Sequence, residues 1–276
     1  MHSPKFILKK IITKLRLQKF AYYIFSLYAS IFRFHKVIRD GICYQLDLRE
    51  SVDRGIYLLG WEPLTIKWMI ENLKAGDVVI EVGANVGAHS LIISKIIGPN
   101  GSLEAFEPTD YAFKKLQTNF SLNLALSQNT NLHQLYVSNV ENLKSKHKIR
   151  SSWIVNKSDE IANKMDEEYI GEIVTLDQFF IDLDRLDFLK IDVDGFDFKV
   201  LEGAKGIIQR LRPTVFIELS EIDLNRNDNS VRDIINYFEG INYHGSLENG
   251  LKITTAEALI EFLKGSTHTN GIFKPI

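Results

Sequence analysis

Asp77-Val-Val-Ile-Glu-Val-Gly-Ala-Asn-Val-Gly-Ala-His-Ser90 decides the fold. Lys74-Ala-Gly-Asp77 enters it as a turn, and Val78–Val82 is a short apolar run rich in β-branched residues. Such a run suits a strand buried on both faces of a parallel sheet. Gly83 and Gly87 then lead into Ser90-Leu-Ile-Ile-Ser-Lys-Ile-Ile97, apolar and long enough for a helix packed on that sheet. Strand, glycine turn and helix together hold nucleotide-like ligands, because glycine lets the backbone approach closely and helix N–H groups face the ligand.

Spacing narrows the ligand. A dinucleotide fingerprint needs G-x-G-x-x-G, which this stretch lacks. It carries Glu81-x-Gly83-x-x-x-Gly87 instead, a form that resembles the first motif of S-adenosylmethionine (SAM) dependent methyltransferases. A similar strand, glycine and helix also occur in α/β proteins that bind nothing there.

The 276 residues fit one large domain, or one domain with an extension. A hydrophobic share of 45% and a charged share of 25% are ordinary for a globular protein with a full core. The single cysteine, Cys43, excludes an intramolecular disulfide and a cysteine metal cage, and fits a reducing, cytoplasmic location. The formal charge of −2 is unevenly spread. Residues 1–39 carry nine Lys/Arg and no Asp/Glu, which leaves −11 for the remainder.

Residues 1–39 read as a basic, aromatic-rich helical extension, with Ile7, Leu8, Ile11, Ile12 and Leu15 on one arc. Phe20–Phe32 is too short to span a bilayer and lacks the flanks of a secretory signal. The extension reads first as a cap on the main domain or on a second subunit, and second as a peripheral contact with an anionic inner membrane face. Residues 40–276 form the main domain, opening with a strand at Cys43–Leu48 and a helix at Pro63–Leu73. Trp61-Glu62 just ahead of that helix is either packing or part of a substrate pocket.

A second strand, Ser102–Phe106, ends at Glu107-Pro108, twenty residues beyond Gly87. A carboxylate there is placed to accept both hydroxyls of a ribose. A helix capped by Thr109 or Asp110 follows, with Phe113, Leu116 and Phe120 on one face. Asn131–Ser138 reads as one third strand, and residues 140–172 as an irregular insertion with a hairpin around Ser152–Val155. Val174–Phe180 is a short helix and Asp187–Val193 a fourth strand. Val200, Leu201, Ala204, Ile207, Ile208 and Leu211 make one helical stripe, and Thr214–Leu219 is a fifth strand carrying Glu218. A helix at Val231–Phe238, a strand at Asn242–His244, a helix at Thr255–Leu263 and a strand at Gly271–Lys274 complete a doubly wound sheet.

Asp192-x-Asp194-Gly195-x-Asp197 superficially suggests a calcium loop, but its glycine is misplaced and a strand precedes it. Seven scattered histidines without H-E-x-x-H give no support to zinc.

Val78-Val-Ile-Glu-Val-Gly-Ala-Asn-Val-Gly87, Glu104-Ala-Phe-Glu-Pro108, Val174-Thr-Leu-Asp177, Leu189-Lys-Ile-Asp-Val-Asp-Gly-Phe-Asp197, Leu201-Glu-Gly-Ala204 and Arg212-Pro-Thr-Val-Phe-Ile-Glu218 together resemble the FkbM-type methyltransferases. The resemblance covers about residues 45–220. It implies a class I methyltransferase, Rossmann-like fold of seven strands with the last antiparallel, SAM as cofactor, and methylation of hydroxyls on sugars, glycans or secondary metabolites. The family usually has Glu where Asp194 and Asp197 stand here, so side-chain reach differs at both.

In such a fold Glu81, Gly83, Ala84, Asn85, Gly87, His89 and Ser90 would surround the methionine part of SAM. Glu107 with Pro108 would meet its ribose, and Ser138 its adenine. Asp192, with Lys190 or Asp194 near it, would orient the acceptor hydroxyl or take its proton, with Glu218 a second acid/base candidate. A nucleic-acid or nitrogen methyltransferase is the rival. Its Asn/Asp-Pro-Pro-Tyr/Phe signature is replaced here by Asp192-Val-Asp-Gly195, and the acidic core opposes a phosphate backbone. A degenerate binding or scaffold protein on the same fold is the non-enzymatic alternative.

Overall fold

The computed structural model describes residues 28–29, 31–58, 60–140, 142–150, 166–264 and 268–276. In chain order its elements are β1 (Phe34–Arg39), β2 (Ile42–Asp47), α1 (Ser51–Leu58), α2 (Pro63–Asn72), β3 (Val78–Val82), α3 (Ser90–Ile97), β4 (Ser102–Phe106), α4 (Asp110–Ser121) and α5 (Leu124–Ser127). They continue as β5 (Thr130–His133), β6 (Tyr136–Val137), β7 (Asn142–Arg150), β8 (Asp166–Val174), α6 (Leu176–Phe179), β9 (Phe188–Ile191), α7 (Asp197–Glu202) and α8 (Lys205–Leu211). The last are β10 (Thr214–Leu219), α9 (Glu221–Asn225), α10 (Val231–Gly240), β11 (Tyr243–Leu247), α11 (Ala256–Leu263) and β12 (Thr269–Pro275).

Seven strands form the main sheet in the order β11-β12-β10-β9-β3-β4-β5. Strands β3, β4, β5, β9 and β10 pair in parallel, whereas β12 runs antiparallel to both β10 and β11. This is the expected α/β, class I methyltransferase arrangement. The strand order reverses beside β3, the point where open α/β sheets take ligands beyond the carboxyl strand ends.

Alternation along the strands gives the sheet two separate cores. Ile80, Val82, Leu189, Ile191, Val215 and Ile217 pack under the helices after residue 175. Val79, Phe188, Phe216 and Ile272 pack on the opposite face, under α2 to α4 and the β1-β2 hairpin. On that second face Trp68 of α2 stacks on Phe188 and lies against Phe216, so α2 crosses β9 and β10.

Four sequence expectations need correction. Residues 34–39 of the expected helical extension form a strand paired with β2, turned by Asp40 (φ 49°) and Gly41 (φ 76°). Asp-Gly with both φ positive is the two-residue hairpin turn that matches strand twist. Residues 1–27, the basic arc among them, lie outside the described residues. The expected third strand divides: β5 joins the main sheet, while β6 pairs with β8 in a separate three-stranded sheet completed by β7. Within 140–172, residues 142–150 and 166–172 pair as the β7-β8 ladder, and residues 151–165, with the hairpin expected around Ser152–Val155, lie outside the described residues. The single helical stripe after β9 is two helices, because Gly203 passes so close to Ser138 that a Cβ would lie 2.0 Å from its carbonyl oxygen. Among the described residues no helix is long and apolar enough to cross a membrane.

Candidate active site

The turn after β3 is shaped by the end of β9. Gly83 (φ 89°) and Ala84 both donate backbone N–H bonds to Phe106 O, at 3.0 and 2.9 Å. A Cβ on Gly83 would lie 1.8 Å from Asp192 O, so only glycine allows the two strand ends to approach. Ala84 is buried in the apolar core of that face. Gly87 admits the Leu116 side chain of α4, 2.8 Å from where its Cβ would stand, and so serves helix packing. Asn85 takes a left-handed backbone (φ 49°), tolerable for this residue type, and leaves its buried Oδ1 without a hydrogen-bond partner among the described residues.

Glu107 closes the turn from the side of β4. Its Oε2 accepts from Asn85 N at 3.0 Å, and its Oε1 from Thr109 N at 2.9 Å and Thr109 Oγ1 at 2.5 Å. Burial pushes this carboxyl up to about 7, although the three donors pull the other way. Oε1 is filled by its two donors, and Oε2 keeps one further lone-pair site for a donated hydroxyl. Pro108 follows, half-buried.

Strand register builds the reacting edge. Glu81 of β3 pairs with Lys190 of β9, which pairs with Phe216 of β10. Two residues further along each strand, on the same face, stand Gly83, Asp192 and Glu218. Glu218 has Asn270 of β12 directly opposite. Lys190, 1% exposed, donates to Asp192 Oδ2 at 2.8 Å and lies 3.6 Å from Glu81 Oε1. Ser90, the first residue of α3, donates its hydroxyl to Glu81 Oε2 at 2.5 Å. Burial disfavours the Lys190 charge, but Asp192 and Glu81 outweigh it and raise its pKa. Burial likewise works against the Asp192 anion, and the Lys190 charge and hydrogen bond override it, holding that carboxyl below its usual range.

The turn after β9 adds more acids. Asp194 (φ 51°) is exposed, and Asp197 is buried, accepting from Val193 N at 3.1 Å and Gly195 N at 3.0 Å. Asp197 thus holds its own turn, and burial together with Asp192 pushes it up to about 7. Burial, then the charges of Asp192, Asp197, Asp194 and Asp223, raises Glu218 well above an ordinary carboxyl. Phe196 of this turn packs edge-on against Tyr136 of β6, which seats the three-stranded sheet beside the site.

Two residues reach this edge from above. Glu62 precedes α2 in a left-handed conformation (φ 40°), with Pro63 at the first helical position. His89 precedes α3, is 5% exposed, and has Nε2 3.6 Å from Glu62 Oε2. Trp61 faces the other way: it packs over Gly55 of α1 and, with Ala88, Pro63 and Ile92, lines a mainly apolar cavity of about 330 Å3. Glu62, His89, Lys190 and Asp192 are not among the residues that line it.

The structure therefore joins Glu81, Gly83, Asn85, His89, Ser90, Glu107, Lys190, Asp192 and Glu218 around one strand edge. Ser138, just after β6, donates its N–H to Val174 O, and its carbonyl abuts Gly203. Thr109 and Asn270 enter without a sequence motif, since turn contacts and cross-strand pairing, not spacing, bring them in, whereas Asp197 stands in the Leu189–Asp197 motif and proves to hold its own turn. The Gly83 cradle, the orphaned Asn85 Oδ1 and the residual acceptor capacity of Glu107 fit the cofactor that the motif resemblance implies.

The profile of the Methyltransferase FkbM domain matches residues 81–245, more than half of the chain. Methyltransferase sdnD of Sordaria araneosa is 27% identical over 181 residues, covering 55% of this chain and 70% of that protein. A crystal structure of Methyltransferase FkbM from Methylobacillus flagellatus KT superposes with a TM-score of 0.46 at 15% identity. That match covers 73% of this chain, which spans 44% of the length of that one. M. jannaschii TYW2 in complex with AdoMet superposes with a TM-score of 0.44 at 12% identity, covering 88% of this chain and 87% of that one.

Proposed function

The chain belongs to the FkbM methyltransferase domain family, and from that premise we propose that it transfers a methyl group from SAM to a hydroxyl oxygen of a sugar, glycan or secondary metabolite. The observation that carries the reading is Asp192, held by Lys190 at the strand edge across from Gly83 and beside Glu218.

When bound, SAM supplies an electrophilic methyl group on a sulfonium. Gly83 and Asn85 would give its methionine part room and a polar contact, and Glu107 Oε2 would accept a ribose hydroxyl. Lys190 occupies Asp192 Oδ2, which leaves Oδ1 to align an acceptor hydroxyl and take its proton. Glu81, anchored by Ser90, fixes the lysine from below. Glu218, whose carboxyl burial and the neighbouring acids raise well above the ordinary range, is the second acid/base candidate at this edge.

The test is transfer of a tritiated methyl group from SAM into small-molecule acceptors, with Asp192→Asn as control. Label that moves to oxygen with the wild type and not with the variant supports the reading. SAM binding without transfer to any acceptor would reassign the chain as a binding module.

A further inference from the structure

Several polar groups around the same edge have no part in the steps above. Glu62, 30% exposed, accepts from Thr65 Oγ1 at 3.3 Å. Thr65 also reaches Glu248 Oε2 at 2.7 Å and receives Asn270 Nδ2 at 3.2 Å. Because Asn270 is the cross-strand neighbour of Glu218, this network links Glu62 to Glu218 across the top of β10 and β12. His89 adds an independent sign of a ligand. It is more than nine-tenths buried, its Nε2 points at Glu62, and that atom has no hydrogen-bond partner among the described residues. Burial and the Lys190 charge keep this imidazole neutral, so it forms no ion pair with Glu62.

The charge balance of the edge is one-sided. Glu62, Asp192, Asp194, Glu218, Asp223 and Glu248 are acids in or beside it. Lys190 is shared between Asp192 and Glu81, and Arg226 is paired with Asp223. His268 is close enough to influence Asp192 but is exposed. A phosphate or carboxylate entering here would meet like charge in a partly desolvated cleft, whereas hydroxyls and amines would meet acceptors.

We propose that Glu62, Glu218 and Asn270 form the subsite that holds the acceptor beside Asp192, and that it takes an uncharged or cationic polyhydroxylated group and turns away one bearing phosphate or carboxylate near the reacting hydroxyl. The inference rests on the methyl-transfer reading above. Glu62 grips the acceptor through its free lone pairs, with His89 Nε2 as the second contact, and Asn270 sets the orientation of Glu218.

Four aryl glycosides matched in ring and aglycone test it: a glucoside, a glucosaminide, a glucuronide and a phosphorylated glucoside. Label from tritiated SAM, or binding to the protein loaded with S-adenosylhomocysteine, is measured for each. The glucoside and glucosaminide should exceed both anionic probes at least tenfold in kcat/KM or affinity. The paired substitutions Glu62→Gln and Glu218→Gln should narrow that ratio at least tenfold while S-adenosylhomocysteine affinity holds. Each single variant, checked for an unchanged thermal midpoint, should narrow it part of the way. Anionic probes that match or exceed the neutral ones overturn the proposal, as does a preference that survives both substitutions. No binding of any probe to protein that holds S-adenosylhomocysteine also overturns it. Failure of wild-type protein to bind S-adenosylhomocysteine strikes the methyl-transfer reading instead.

Discussion

Lys190 and Asp192, two residues apart at the end of one strand, are joined by a 2.8 Å hydrogen bond that turns the lysine across the sheet face toward Glu81. One cation thereby fixes two carboxylates from neighbouring parallel strands. Such a buried arrangement holds only while its charges balance.

Removing the cation should therefore be costly. Lys190→Met is expected to destabilise the fold by about 3–5 kcal/mol, because Glu81 and Asp192 lose their counter-charge. Adding Glu81→Gln should recover part of the loss. Urea unfolding of the single and double variants measures both, and a single variant as stable as the wild type would contradict the pairing.

Gly83 is constrained by space, not only by dihedral angle. Gly83→Ala should abolish SAM binding and destabilise the fold, since its Cβ would stand 1.8 Å from Asp192 O. Gly76 has a similar φ of 88° but open space around it, so Gly76→Ala should lose only the left-handed cost of about 1–2 kcal/mol. Equal losses in both variants would show that backbone strain alone explains Gly83.

Stability should fall between pH 6.5 and 8. Burial pushes Glu62, Glu107 and Asp197 each up to about 7 from ordinary values near 4. The folded state thus holds protons that the unfolded chain has lost, and stability is lost as pH rises through 7. His89, held neutral down to about 3, contributes with the opposite sign, but most of its gain lies below 6.5, so it offsets only a small part of the slope in this window. The three carboxyls together predict a loss of about 2 kcal/mol, or a thermal midpoint lower by about 5 °C. Glu62→Gln should remove roughly a third of the slope; a midpoint that rises with pH here would refute the assignment.

Asp192 should separate chemistry from donor binding. Asp192→Asn keeps the shape but gives up proton acceptance, so turnover should drop about 10²–10⁴-fold with SAM affinity within about threefold. Steady-state kinetics and calorimetry on the same variant decide it. A variant with normal turnover would exclude Asp192 as the proton acceptor.

Much of this site was legible as separate strand ends. Val78–Val82, Ser102–Phe106 and Thr214–Leu219 are the strands their composition predicts, and each delivers its acid or glycine to the carboxyl edge. Which sheet a strand joins was less legible. Asn131–Ser138 reads as continuous, but Glu107 N takes His133 O, and β6 then leaves for β8. The hairpin at Asp40-Gly41 carried a readable turn signal that the surrounding basic residues masked. Helix α1 was hidden by Asp53 and Arg54, charged residues buried because Asp47 N donates to the first and the second donates to Leu48 O. Glu62 reaches the site only because Trp68, two turns along α2, seats that helix on Phe188 and Phe216. Cross-element packing of that kind leaves no local pattern.

The account stands most directly on calorimetric titration of SAM into the wild type and Glu107→Ala. It predicts one site on the wild type, and affinity about 10–100-fold weaker in the variant, the worth of hydrogen bonds to a charged carboxylate. Absence of binding to the wild type, or equal affinity in the two proteins, would contradict it.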